Sequence, residues 1–224
     1  ASKVGECKHT GRVDGYVRFN DGTSAAGIQV DINYKGKKVM SVFTDDSGHF
    51  VADELSYQGG ASVTYDVSAV GKNGEDFSPK GFSVPFDAHS NDETLREISI
   101  LNGKRFSGYV MYDGTSIPVK GANFKVNGKK VYNTKGKLLE TEYDGSFSFR
   151  VLPGNDTIQV VMDGHNFTND GYFKGATGHN FTDDVAGIYF YDATKVKLAG
   201  RVVGGEEQGQ KPLGNNLSTN HLGD

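Results

Sequence analysis

The chain has 224 residues, among them 31 Gly, 5 Pro, 1 Cys and no Trp, and a formal net charge of −4. One cysteine closes no internal disulfide and builds no cysteine-based zinc knuckle. The mildly acidic balance offers no basic field to nucleic acid, and no apolar run reaches the roughly 18 residues of a membrane-spanning helix.

The first ten residues form an N-terminal segment ahead of any pattern. The chain begins at Ala1 with no apolar signal region, as expected of a processed product or a fragment. Cys7 lies in this segment without a His/Asn constellation, so an inert thiol is expected there rather than a nucleophile. Gly15-Tyr16-Val17 opens the first patterned stretch, and Asn20 to Ser24 reads as a polar turn. Gln29 to Tyr34 alternates with period two, the signal of a half-buried strand. Lys35-Gly36-Lys37-Lys38 is a hairpin tip, better read as a solvated turn than as a nucleic-acid contact. Thr44-Asp45-Asp46-Ser47-Gly48-His49-Phe50 leads into a further strand, followed by Leu55, the Gly59-Gly60 turn and a strand over 61–67. Asp92 to Ile98 is the best short helical candidate, yet Glu97 to Ile100 reads better as strand.

The same order then recurs. Gly108-Tyr109-Val110 repeats the opening about 93 residues on. Asp113 to Ser116 is again a turn, and Asn127-Gly128 is a hairpin turn before Lys129-Lys130. Thr141-Glu142-Tyr143-Asp144-Gly145-Ser146-Phe147 answers the Thr44 segment, and Ser146 to Val151 alternates. Leu152-Pro153-Gly154 precedes a strand over 156–162, and Gly187 to Tyr191 alternates once more. Gly200-Arg201-Val202 opens a third copy, with Lys211-Pro212-Leu213-Gly214 behind it. These offsets predict a first repeat over 11–103, a second over 104–196 and the start of a truncated third over 197–224. The parent protein is accordingly expected to be longer. No stretch carries a clean helical stripe, so the predicted class is all-β, with glycines at tight turns. Calcium at the Asp45, Asp46 and Asp144 turns is the alternative reading. The twelve-position calcium-loop pattern is absent, and a plain turn is favoured.

These residues resemble the carboxypeptidase regulatory-like domain, a transthyretin-like β-sandwich of the wider immunoglobulin-like group. The second repeat fits its pattern best, through Pro118, Gly121, Ala122, Phe124, Thr141, Gly145, Phe147, Leu152, Pro153 and Gly154. The first has Ala25-Ala26-Gly27-Ile28 where the pattern has its proline. The match covers roughly 11–70 and 105–165. Segments 71–104 and 166–196 depart from it and look like added strands and loops. The resemblance implies tandem transthyretin-like/Ig-like sandwiches, as in large secreted or outer-surface proteins of Bacteroidetes-type bacteria, where they serve as spacers, stalks or accessory modules. Asp156-Thr157-Ile158 is similar to the O-glycosylation acceptor of such bacteria, making Thr157 a candidate; a simple strand start is the alternative. Asn-x-Ser/Thr also occurs at Asn155, Asn166, Asn180 and Asn216.

No phosphate-binding loop, nucleophile elbow or His-Glu-x-x-His motif occurs. Gly164-His165-Asn166-Phe167-Thr168-Asn169-Asp170 is echoed by Gly178-His179-Asn180-Phe181-Thr182-Asp183-Asp184. Two histidines with Asp170, Asp183 and Asp184 are a conceivable metal set. Two similar loops with Phe167 and Phe181 packing inward is the reading preferred. Acidic residues fall mostly in turns, which disfavours paired-carboxylate hydrolysis. Tyr172 and Phe173, in a Gly-rich loop, are the candidate ligand-binding pair. The expectation is therefore a non-catalytic structural or interaction segment of a larger surface or secreted bacterial protein, without cofactor or metal. Its partners would be further repeats of the same chain, a protein or a surface glycan. The alternative is a glycan- or protein-binding accessory module of a surface complex.

Overall fold

A computed structural model describes residues 9–57, 62–87, 95–169, 178–198 and 217–220. The first repeat comprises β1 (His9–Phe19), β2 (Gln29–Tyr34), β3 (Lys37–Phe43), β4 (His49–Tyr57), β5 (Val63–Val70), β6 (Phe77–Ser78), β7 (Gly81–Phe86) and β8 (Arg96–Ile100). They form two four-stranded sheets, ordered β4-β1-β8-β6 and β3-β2-β5-β7. Neighbouring strands run antiparallel except β1 and β8, which are parallel over Gly15 to Phe19. Alternating side chains from both sheets meet in one core, including Val17, Val30, Ile32, Phe50, Phe86 and Ile98. Period-two patterning produces this layout because successive side chains point to opposite faces.

The second repeat comprises β9 (Lys104–Tyr112), β10 (Asn123–Val126), β11 (Lys129–Lys130), β12 (Ser146–Val151), β13 (Gly154–Asp156), β14 (Ile158–Val161), β15 (Phe167–Asn169), β16 (His179–Phe181) and β17 (Val185–Asp192). Its sheets are β12-β9-β17-β15 and β11-β10-β14, with β13 and β16 as a separate pair. The β9/β17 pair is parallel, as β1/β8 is. The core is a cluster of phenylalanines. Phe106 lies 5.3 Å from Phe147 and 5.5 Å from Phe149, ring centre to ring centre, and Phe124 lies 4.6 Å from Phe147. Each such ring contributes about 1.5–3 kcal/mol by burial alone. Beyond it, β18 (Lys195–Leu198) pairs with β19 (Leu217–Asn220).

The repeats correspond in atomic detail. The Lys35-Gly36 and Asn127-Gly128 turns both take left-handed backbone at both positions, the geometry that a two-residue hairpin requires. Thr44 and Thr141 are buried and bonded alike. Thr44 Oγ1 donates to Ala25 O at 2.6 Å and accepts from Ile28 N at 2.9 Å; Thr141 Oγ1 donates to Val119 O at 2.6 Å and accepts from Ala122 N at 3.0 Å. Gly15 and Gly108 sit in the parallel ladders, where a Cβ would run into the carbonyl of Arg96 or of Ile188. Only glycine lets the two strands approach so closely.

One expectation changes. Segments 71–104 and 166–196 resembled additions to a compact unit. They supply β6, β7 and β8 in the first repeat and β15, β16 and β17 in the second, including the parallel strand beside each opening strand. Val84, Phe86, Ile98 and Ile100 all come from the first of these segments and all lie in the core. The short helical candidate ends in strand β8.

Candidate functional site

Two buried carboxylates set the second repeat apart from the first. Hairpin register places Asp156 where the first repeat has Val63, and the parallel ladders place Asp192 where it has Ile100. Burying a carboxylate in an aliphatic position is costly unless it is paired and hydrogen-bonded.

Asp192 ends β17 and is fully buried. Its Oδ1 accepts from Thr194 N at 3.0 Å and Thr194 Oγ1 at 2.5 Å, and its Oδ2 bonds the His165 Nδ1. Burial pushes this carboxyl up, but the bonds from Thr194 and His165 and the histidine's charge outweigh it, leaving it below the ordinary carboxylate value. A carboxylate on Nδ1 fixes the ring and favours the proton there. The histidine borders an open cleft between the edges of β14 and β15, lined also by Ile158, Met162, Phe167, Thr168 and Lys125. A carboxylate–histidine pair is half of an acid–base machine; no seryl or cysteinyl nucleophile lines this cleft among the described residues.

Asp156 faces the other repeat. Only Leu101, Asn102 and Gly103 connect β8 to β9, and the repeats are bonded directly. Tyr132 N donates to Ser24 Oγ at 2.9 Å and Ser24 N to Tyr132 O at 3.1 Å. Lys130 N donates to Asp46 Oδ2 at 3.1 Å, and the Arg150 Nε lies 3.5 Å from Asp21 Oδ2. Arg150 Nη1 also donates to Gly103 O at 2.8 Å, and Leu152 packs against the first core. Between the repeats lies a cavity of about 260 Å³, lined by Phe19, Ala25, Val126, Lys130, Leu152 and Asp156 among others. Asp156 Oδ1 accepts from Asn127 Nδ2 at 2.6 Å, and its Oδ2 is buried with no hydrogen-bond partner. Burial, against the Asn127 bond and with the negative Glu75 of the first repeat, pushes this carboxyl up to about 6.

Tyr172, Phe173, Asp170, Cys7 and Asn216 lie outside the described residues. Thr157 is half-buried between β13 and β14, its N–H bonded to Asn127 Oδ1 at 2.9 Å. His165 lies just before β15 while His179 begins β16, which pairs with β13. His179 sits edge-on against Phe181, and Asp184 accepts from Arg105 N at 2.8 Å. Among the described residues no three His, Cys, Asp or Glu gather as a metal set. Phe181 is fully buried, and Phe167 packs against the second core. Asp45 Oδ1 accepts from Ser47 N, Ser47 Oγ and His49 N at 2.7–3.0 Å. Burial raises its carboxyl and these bonds lower it further, for a net fall. Bonds from Ser146 lower Asp144. Both carboxylates act as turn fasteners.

No protein-family model matches the chain, and no curated protein matches it by sequence. Solved structures do. The Bacillus anthracis TIE protein aligns at 12% identity and a TM-score of 0.34, over 82% of this chain and 34% of its own. A streptococcal ancillary pilin aligns at 15% and 0.30, over 80% of this chain and 62% of its own. The shaft pilin of Lactobacillus rhamnosus GG aligns at 12% and 0.30, over 84% of this chain and 100% of its own. This chain thus spans about a third of the first and under two thirds of the second. From its own sheets and cores, the described chain is all-β, built of β-sandwiches in tandem.

Proposed function

We propose that the chain is a non-catalytic structural segment of a larger cell-surface or secreted bacterial protein, in which joined repeats space or present a functional domain. The observation that carries this reading is the joint. A three-residue connection and bonds from Ser24, Asp46, Tyr132 and Arg150 join the two sandwiches directly. The finer form, a carboxypeptidase regulatory-like array on an outer-membrane-associated protein of Bacteroidetes type, rests on the sequence resemblance alone. The test is protease shaving of intact cells, beside a variant whose two repeats are replaced by a Gly/Ser linker of equal length. The chain should be released by shaving, and the linker variant should lose antibody access to the flanking domain. A chain protected inside the cell overturns the proposal.

A second reading, a glycan- or protein-binding module, draws on the outer face of the β12-β9-β17-β15 sheet. Tyr109 and Tyr189 stack there at 5.5 Å, Tyr191 continues the row, and Tyr189 is exposed. Aromatic faces suit sugar rings and protein partners alike. Glycan-array binding that disappears with Tyr189→Ala or Tyr172→Ala would establish it; a blank array would remove it.

A further inference from the structure

The joint holds an ionisable group in a position where a charge is poorly tolerated. Asp156 is buried at the wall of the inter-repeat cavity, and its Oδ2 has no partner. Its surroundings can be enumerated. From the β10–β11 turn, Asn127 donates to Oδ1. From β11 and β12, Lys129, Lys130 and Arg150 line the same cavity, but Lys129 lies 4.0 Å from Asp46 and Arg150 pairs with Asp21. From β16, His179 stands opposite Asp156 in the ladder, with its ring against Phe181. From the first repeat comes Glu75, a second negative charge, whose Oε2 accepts from the N–H groups of Lys72 and Asn73 at 2.7 and 2.9 Å. Among the described residues no cation pairs with Asp156. The adjoining Gly154 touches Asn73, next to the residues that hold Glu75.

We propose that the contact between the two repeats is acid-closed, with Asp156 as its titrating group. Protonated, Asp156 sits in the joint as a neutral side chain and the repeats dock as described. Ionised, it is a buried charge facing Glu75 with only the Asn127 bond to hold it, and opening the joint returns it to water. The sign follows from linkage. The closed state holds the proton more tightly than the open state, so closure is complete in acid and weakens as pH rises through about 6. Between an ordinary carboxylate of 3.8 and the value of about 6, the closed-to-open ratio falls on the order of a hundredfold. The inference stands on the joint alone, independent of where the parent protein resides.

The experiment is a distance measurement between spin labels, one on each repeat. The full chain carries Cys7→Ser with Thr64→Cys and Ser148→Cys, the last two on exposed strand positions. Expected is a narrow distance distribution near pH 4 that broadens as the pH rises to about 6. Asp156→Asn should stay narrow throughout, and Glu75→Gln should broaden less at every pH, because the ionised closed state then faces one like charge fewer. A distribution unaffected by pH overturns the proposal. So does a transition that persists in Asp156→Asn, which would assign it to the histidines. Should Asp156→Asn fail to fold, undiminished broadening in Glu75→Gln overturns it equally. None of these outcomes bears on surface exposure, so this proposal and the preceding one fail separately.

Discussion

Thr141 is the sharpest place to test the fold. Replacing it with valine keeps the shape and deletes one oxygen. That oxygen serves two buried backbone groups, Ala122 N–H and Val119 C=O. A buried donor left without a partner costs about 1–3 kcal/mol, and the stranded carbonyl adds to it. Thr141→Val should therefore destabilise the second repeat by about 2–4 kcal/mol. For a unit of this size that lowers its Tm by roughly 10–20 °C. Thr141→Ser keeps the oxygen and loses one methyl group, a cost of about 1 kcal/mol. Valine should thus be worse than serine, the reverse of what apolar area alone dictates. Calorimetry on the full chain reads the difference, and amide exchange at Ala122 localises it. A valine variant as stable as the serine variant would refute the reasoning.

Two more tests reach the other features. His165→Ala should cost about 1–2 kcal/mol at pH 7 by urea denaturation, because a buried carboxylate oxygen loses its hydrogen-bond partner. Asp192 lies below its ordinary value in the folded chain, so the stability it lends is present above about pH 4 and is lost as pH falls further; native and variant should converge as the pH falls below that, and parallel curves would contradict the pairing. Gly108→Ala drives a Cβ into the Ile188 carbonyl and should cost more than about 2 kcal/mol, beyond the cost of Gly27→Ala or Gly114→Ala, where the Cβ would meet nothing and only the left-handed backbone is strained. A melting temperature equal to theirs would refute the close approach.

Much of the sandwich was legible because its signals are local. Gln29 to Tyr34 and Ser146 to Val151 alternate, and they are β2 and β12. The matched threonines and glycines mark places where one atom too many or too few would break a backbone contact, which is why they recur at fixed offsets. Asp156 and Asp192 were harder to see. Acidic residues near loops normally face water, and each of these is the last residue of its strand. A signal was nonetheless present. Asp156 is two residues before the buried Ile158, and Asp192 two after the buried Phe190, so both share the inward phase of their strands. Joint contacts such as Ser24 with Tyr132 join residues 108 positions apart and leave no local trace.

The parallel pairing of β1 with β8 has a mechanical consequence. The chain enters a repeat at the start of β1 and leaves at the end of β8, and these strands lie side by side pointing the same way. Tension applied through the two ends therefore draws the strands past one another along their length. The rungs from Gly15–Arg96 to Phe19–Ile100 are loaded together rather than peeled one at a time. The same holds for β9 and β17. A string of such repeats resists stretching in shear, and the glycine that lets each pair of strands close up sits within the loaded ladder.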